Sequence, residues 1–118
     1  MSRIHSTPLR EFCLTLPGAT EDVKWGAAHC FSVGGRLFAM FELEKEPPVQ
    51  FKCDEEDFDL LLDVDGIIPA PYAARAGWVS VTTRKALSAA KCRKQIVKSY
   101  ELVFAKLTKK KQREIRGE

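Results

Sequence analysis

Two adjacent glycines, Gly34-Gly35, separate Cys30-Phe31-Ser32-Val33 from Arg36-Leu37-Phe38-Ala39-Met40-Phe41. Apolar and aromatic residues on both sides favour extended strands, and paired glycines supply the positive φ angles of a two-residue hairpin turn. A chain committed to an antiparallel hairpin is steered away from all-helical folds and from parallel sheets, whose strands need long crossovers. Beyond the break at Pro47-Pro48, Val49-Gln50-Phe51-Lys52-Cys53 alternates apolar with polar and predicts a third strand with one wet face. Trp78-Val79-Ser80-Val81-Thr82-Thr83 is β-branched and predicts another.

The remaining segments carry helix signals. Thr7-Pro8 has the hydroxyl and proline of a helix start; Leu9, Phe12, Cys13 and Leu16 recur at helical spacing until Pro17-Gly18. The next stretch, residues 21–26, reads as a short strand or an extended loop. Asp54 is placed to cap a second helix, with Asp57 in its first turn, Phe58, Leu61 and Leu62 as its buried stripe and Gly66 as its stop. Residues 67–77 hold too many breakers for a long helix. From about residue 88 to 107, Ile96, Tyr100, Val103 and Leu107 follow one helical face. Residues 109–118 form a basic tail whose apolar pattern fades, and they are expected to fray. The expected architecture is a two-layer α+β domain in the order α-β-β-β-α-β-α, an antiparallel sheet with helices on one face. At 118 residues the chain is expected to be one domain, with its core spanning about 7–108.

Several function classes are excluded by what these residues can do. No apolar run reaches the roughly 18 residues of a membrane span, and residues 1–10 lack the apolar stretch of a signal peptide, so a cytoplasmic protein with no membrane partner is expected. The pattern leaves the oligomeric state open, a monomer being favoured. Cys13, Cys30, Cys53 and Cys92 lie far apart among apolar neighbours; with no C-x-x-C pair they read as buried thiols, not as zinc ligands or disulfide partners. His5 and His29 are the only histidines, and Cys30, next to His29, would point to the opposite face of its strand. The acidic run from Asp54 to Asp59 lacks the glycine and terminal glutamate of a calcium loop, and Gly34-Gly35 is not a phosphate loop. No catalytic set, metal site or cofactor is expected.

Charge is distributed unevenly. Residues 1–83 hold seven Lys/Arg against thirteen Asp/Glu, a balance of −6, while residues 84–118 hold twelve against three, a balance of +9. Such asymmetry points to a polyanionic partner. The candidate phosphate contacts are Arg36 at the hairpin tip, Lys52 on the third strand, and Lys91, Lys94, Lys98 and Lys106 on the last helix. The bland alternative is a solvated helix face with a basic tail.

Leu16-Pro17-Gly18-Ala19-Thr20-Glu21 with Lys24-Trp25-Gly26, the hairpin from Phe31 to Phe38, Val49-Gln50-Phe51-Lys52, Pro69-Ala70-Pro71-Tyr72 with Trp78-Val79, and Ser99-Tyr100-Glu101-Leu102-Val103 together resemble the MmcQ/YjbR family. The match spans roughly residues 7–108. The resemblance implies a fold similar to the CyaY and secretion-chaperone type and DNA binding through a double-wing arrangement; it brings no catalytic residues with it. Both tryptophans and one of the two tyrosines fall in these motifs. Trp25, Tyr72, Arg75 and Trp78 could therefore line a pocket for a small ligand or protein partner, or the rings could simply fill the core.

Overall fold

In this computed structural model, which describes residues 5–24, 28–42, 48–71 and 73–118, the chain runs through α1 (Ser6–Cys13), β1 (Ala19–Lys24), β2 (Ala28–Val33), β3 (Arg36–Glu42), β4 (Val49–Lys52), α2 (Glu55–Leu62), β5 (Ile67–Pro69), β6 (Trp78–Val81), α3 (Ala89–Ala105) and α4 (Lys109–Arg116). Gly34 and Gly35 take φ angles of +58° and +82°, so the backbone reverses in two residues and Val33 faces Arg36 across the ladder. Gly34 meets a second demand. A Cβ there would lie 2.7 Å from Leu107 Cδ1, so the turn is pressed against the chain just beyond α3.

The six strands form one antiparallel sheet in the order β1-β2-β3-β4-β6-β5. The α+β class holds, while the expected order α-β-β-β-α-β-α gains two edge strands and a final helix. β1 is polar and almost wholly exposed, so it carries no apolar alternation; its backbone bonds to β2 define it. β5 is three residues long and contains Pro69, which an edge position tolerates because one side of the strand has no ladder to join. At the N-terminus His5, not Thr7, occupies the cap position of α1 and makes no side-chain cap bond, so Pro8 lies within the first turn instead of opening it. Asp54 caps α2 as expected, accepting from the Asp57 amide at 2.8 Å.

Burial of one apolar cluster joins the layers. Phe31, Phe41, Val49, Phe51, Val79 and Val81 from the sheet pack with Leu9 and Cys13 of α1, Leu61 of α2, and Cys92, Ile96 and Val103 of α3. Phe31 and Phe41 meet edge to face at 5.6 Å, and Phe38 meets Tyr100 in the same manner at 5.4 Å. The Tyr100 hydroxyl donates to the Pro17 carbonyl, tying α3 to the chain that follows α1.

One polar contact sits inside this packing. The β3–β4 register pairs Ala39 with Phe51, so the next pair along the ladder would be Phe38 with Lys52. There the fully buried Ser99 of α3 intervenes: its hydroxyl accepts from the Lys52 amide at 2.9 Å and donates to the Phe38 carbonyl at 2.6 Å. A side chain thus replaces a strand-to-strand hydrogen bond, and both backbone groups stay satisfied where the strands part.

The tail expected to fray forms α4. Thr108 caps it by accepting from the Lys111 amide, and Gly117 ends it at a φ of +76°. The Gln112 side-chain amide donates to the carbonyls of Phe104 and Leu107 at 3.1 Å each, the first of which also accepts from the Leu107 amide at 3.0 Å. Ile115 rests against Gly18, and Arg116 lies over the Phe104 ring, 5.0 Å from its centroid. A single isoleucine and a cation–π contact leave no periodicity to read, which is why the apolar pattern stops at Leu107.

Ser99→Ala should leave the Lys52 amide and the Phe38 carbonyl buried without partners. We expect a loss of about 2–6 kcal/mol in denaturant unfolding, at about 1–3 kcal/mol per unsatisfied group. A loss below about 0.5 kcal/mol would show that the β3–β4 ladder closes without the serine.

Candidate functional site

Alternation along the strands decides which side chains face away from the aromatic core. Phe41, Val49, Phe51 and Val79 belong to the core, so Met40, Gln50, Lys52 and Trp78 project to the other face of the sheet. These four line a groove of about 710 Å³ whose apolar walls are completed by Leu37, Pro71, Ala73 and Val103. Register brings the lining together: Gln50 lies opposite both Met40 and Ser80, and Lys52 lies opposite Trp78.

Three cations reach this groove from three elements. Arg36 is the first residue of β3 after the glycine turn, Lys52 ends β4 beside the Ser99 bridge, and Lys106 caps the C-terminus of α3. Burial, then the approach of the Lys106 ammonium and the charge of Arg36, lower the Lys52 pKa below the usual lysine value. Like charges gathered on an apolar wall cost free energy in the empty groove, and an anion seated there would relieve it. Glu42 lines the groove from the other end of β3, about 20 Å from Arg36 along the strand at 3.3 Å per residue. The groove therefore has a cationic end, an apolar floor and an acidic end.

The six basic residues singled out from the sequence divide evenly. Arg36, Lys52 and Lys106 converge. Lys98 instead bonds Asp57 at 2.9 Å, which raises its pKa, and Lys91 and Lys94 are exposed toward the start of α3. At 1.5 Å per residue, Lys98, Lys94 and Lys91 lie roughly 12, 18 and 22 Å from Lys106 along the helix. The aromatic quartet is not brought together as a unit. Trp78 lines the groove, whereas the exposed Arg75 borders a separate cleft with Glu55 and Asp59. Trp25 and Tyr72 lie outside the described residues. Met40, Glu42, Gln50 and Val103 were not singled out as site residues, although the wet face predicted for residues 49–53 already contained Gln50 and Lys52.

Nucleophiles elsewhere are muted. Burial pushes the thiols of Cys13, Cys53 and Cys92 up to about 12, leaving almost no thiolate at neutral pH. His29 Nδ1 meets the Glu21 carboxylate across β1 and β2, and the Cys30 thiol approaches the Ala28 carbonyl at 3.8 Å. Among the described residues, no group of three His, Cys, Asp or Glu side chains is placed to hold a metal ion, and no helix is long and apolar enough to cross a membrane.

A family model named YjbR matches residues 14–102. The fold is similar to the crystal structure of a Deinococcus radiodurans protein with a DUF419 domain, with a TM-score of 0.85 and 26% identity over 95% of this chain and 88% of that one. No curated protein matches the sequence significantly. Arg36 and Lys52 fall inside the matched segment; Lys106 and α4 follow it.

Replacing Lys52 with Met should stabilise the unliganded protein, because it removes a half-buried charge crowded by two others. The folded pKa lies below the ordinary lysine value of 10.5, so charged Lys52 costs stability in full below that lowered value. The cost disappears as pH rises past 10.5. Calorimetric Tm values should therefore be higher for Lys52→Met at neutral pH and converge with those of the parent at strongly alkaline pH. A lower Tm at neutral pH would mean that the methylene stem of Lys52 matters more than its charge.

Proposed function

The chain belongs to the YjbR family, and from the groove its fold builds we propose that it is a non-catalytic nucleic-acid-binding protein that holds phosphates on Arg36, Lys52 and Lys106. The observation that carries this reading is the convergence of those three cations, drawn from a hairpin tip, a strand end and a helix end. In the double-wing arrangement that the family resemblance implies, the β2–β3 hairpin acts as a wing that presents Arg36. Lys109, Lys110 and Lys111 follow Lys106 after Leu107 and Thr108 and extend its charge along the exposed start of α4. Contacts of this kind neutralise phosphate, release counterions and carry little sequence information. The protein acts in the cytoplasm, where reducing conditions suit four buried free thiols.

A second reading rests on the groove itself. Its volume of about 710 Å³ and largely apolar lining are those of small-molecule sites, commonly about 300–1,000 Å³. A small anion with an apolar body would use the same three cations without any polymer.

Salt dependence separates the two. Binding of a labelled oligonucleotide, followed by fluorescence anisotropy, should be micromolar in order of magnitude and weaken steeply as salt rises. Reversing Arg36, Lys52 and Lys106 to Glu should abolish it, and each single reversal should flatten the slope of log K against log salt by about 0.7–0.9. Reversing Lys91 and Lys94 should change neither. Loss of binding on truncation after Thr108, with the groove reversals silent, would assign the attraction to α4 and remove the groove from the reading.

A further inference from the structure

The groove is built unlike a surface that meets only duplex backbone. Phosphates need cations along a ridge or face, but here the cations stand at one end of an apolar floor made by Leu37, Met40, Trp78 and Val103. The remaining basic side chains of α3 are paired or lie a turn or more away along the helix. A duplex keeps its bases stacked and paired inside, so it would leave that floor empty. A single strand can turn a base outward, and nucleobase faces pack on aromatic and apolar side chains whatever the base. The far end of the groove adds selectivity: the Glu42 carboxylate would repel phosphate but accept a hydrogen bond from an exocyclic amine. Gln50, between the two ends, supplies both a donor and an acceptor.

Resting on the nucleic-acid reading above, we propose that the groove captures one unpaired nucleotide of a single strand: its phosphates on Arg36, Lys52 and Lys106, its base on Met40 and Trp78, and an exocyclic amine of cytosine or adenine against Glu42. This reading accounts for the polarity of the groove, cationic at one end and acidic at the other, which phosphate contact alone does not require. It also gives the half-buried, strand-held Lys52 a purpose distinct from that of the exposed lysines of α4, which would follow the backbone outside.

The test uses the full chain and four probes at one low salt concentration: a short oligo(dC), oligo(dT) of equal length, an oligo(dC) strand with abasic positions, and a duplex of the same length. We expect oligo(dC) to bind at least about tenfold more tightly than the duplex, and abasic positions to cost at least about tenfold, as loss of one stacked base does elsewhere. The preference for oligo(dC) over oligo(dT) should vanish in Glu42→Ala, which removes the acceptor that glutamine would keep and whose folding circular dichroism would verify. Photocrosslinking of a 5-bromouracil-substituted strand should label β3 or β6. Equal affinity for duplex and single strand, or an abasic strand bound as tightly as its parent, would overturn base capture yet leave phosphate binding standing. A missing dC preference, or one that persists in Glu42→Ala, would remove the assigned role of Glu42. No binding of any probe at low salt would sink both this inference and the nucleic-acid reading it rests on.

Discussion

The hydroxyl of Ser99 stands where a ladder hydrogen bond between β3 and β4 would otherwise form, and much of the architecture follows from that substitution. A sheet cannot part around a helix unless the exposed amide and carbonyl find other partners, because each would be desolvated at a cost of about 1–3 kcal/mol. Ser99 satisfies both with one atom. α3 can therefore settle into the sheet where β3 and β4 part, placing Tyr100 against Phe38 and Val103 at the groove wall. The same bond fixes the backbone of Lys52, so the residue at the cationic end of the groove is held by the device that opens the sheet.

The fold was legible wherever a local signal coincided with burial. Gly34-Gly35, the strands around Phe41, Phe51 and Val79, the Asp54 cap and the Ile96–Val103 stripe are each specified within a few residues, and all appear in the structure. β1 was read only as a short strand or an extended loop and β5 and α4 not at all, since an exposed polar edge, a three-residue strand with proline and a helix docked through one isoleucine carry no periodicity. The groove was legible only in fragments. Its cations are separated by 16 and 54 positions along the chain, as Arg36, Lys52 and Lys106 show, and only pairing of β3 with β4 and seating of α3 brings them together. Composition could announce a basic C-terminal third. It could not show that Lys98 answers Asp57 whereas Lys106 turns to the groove.

Charge is thus partitioned by position as well as by sequence. The acidic run of α2 takes one lysine of α3 out of circulation through Lys98 and Asp57, while the end of the same helix supplies the groove. Lys52 bears the cost of the crowding, its ammonium half-buried beside two other cations. The thiols of Cys13, Cys53 and Cys92 are buried deeply enough to stay protonated.

The two edges of the sheet have a consequence for how this protein behaves when crowded. A polymer ligand would gather many copies along its length, raising their local concentration, and an open strand edge would then invite sheet-to-sheet growth toward aggregates. Neither edge is a good template. β1 leaves Glu21, Asp22 and Lys24 exposed, so a second copy approaching in register would desolvate charge, and β5 offers three residues with Pro69 among them. The blunted edges therefore let a concave, partly apolar face exist beside a long sheet without making the sheet itself adhesive.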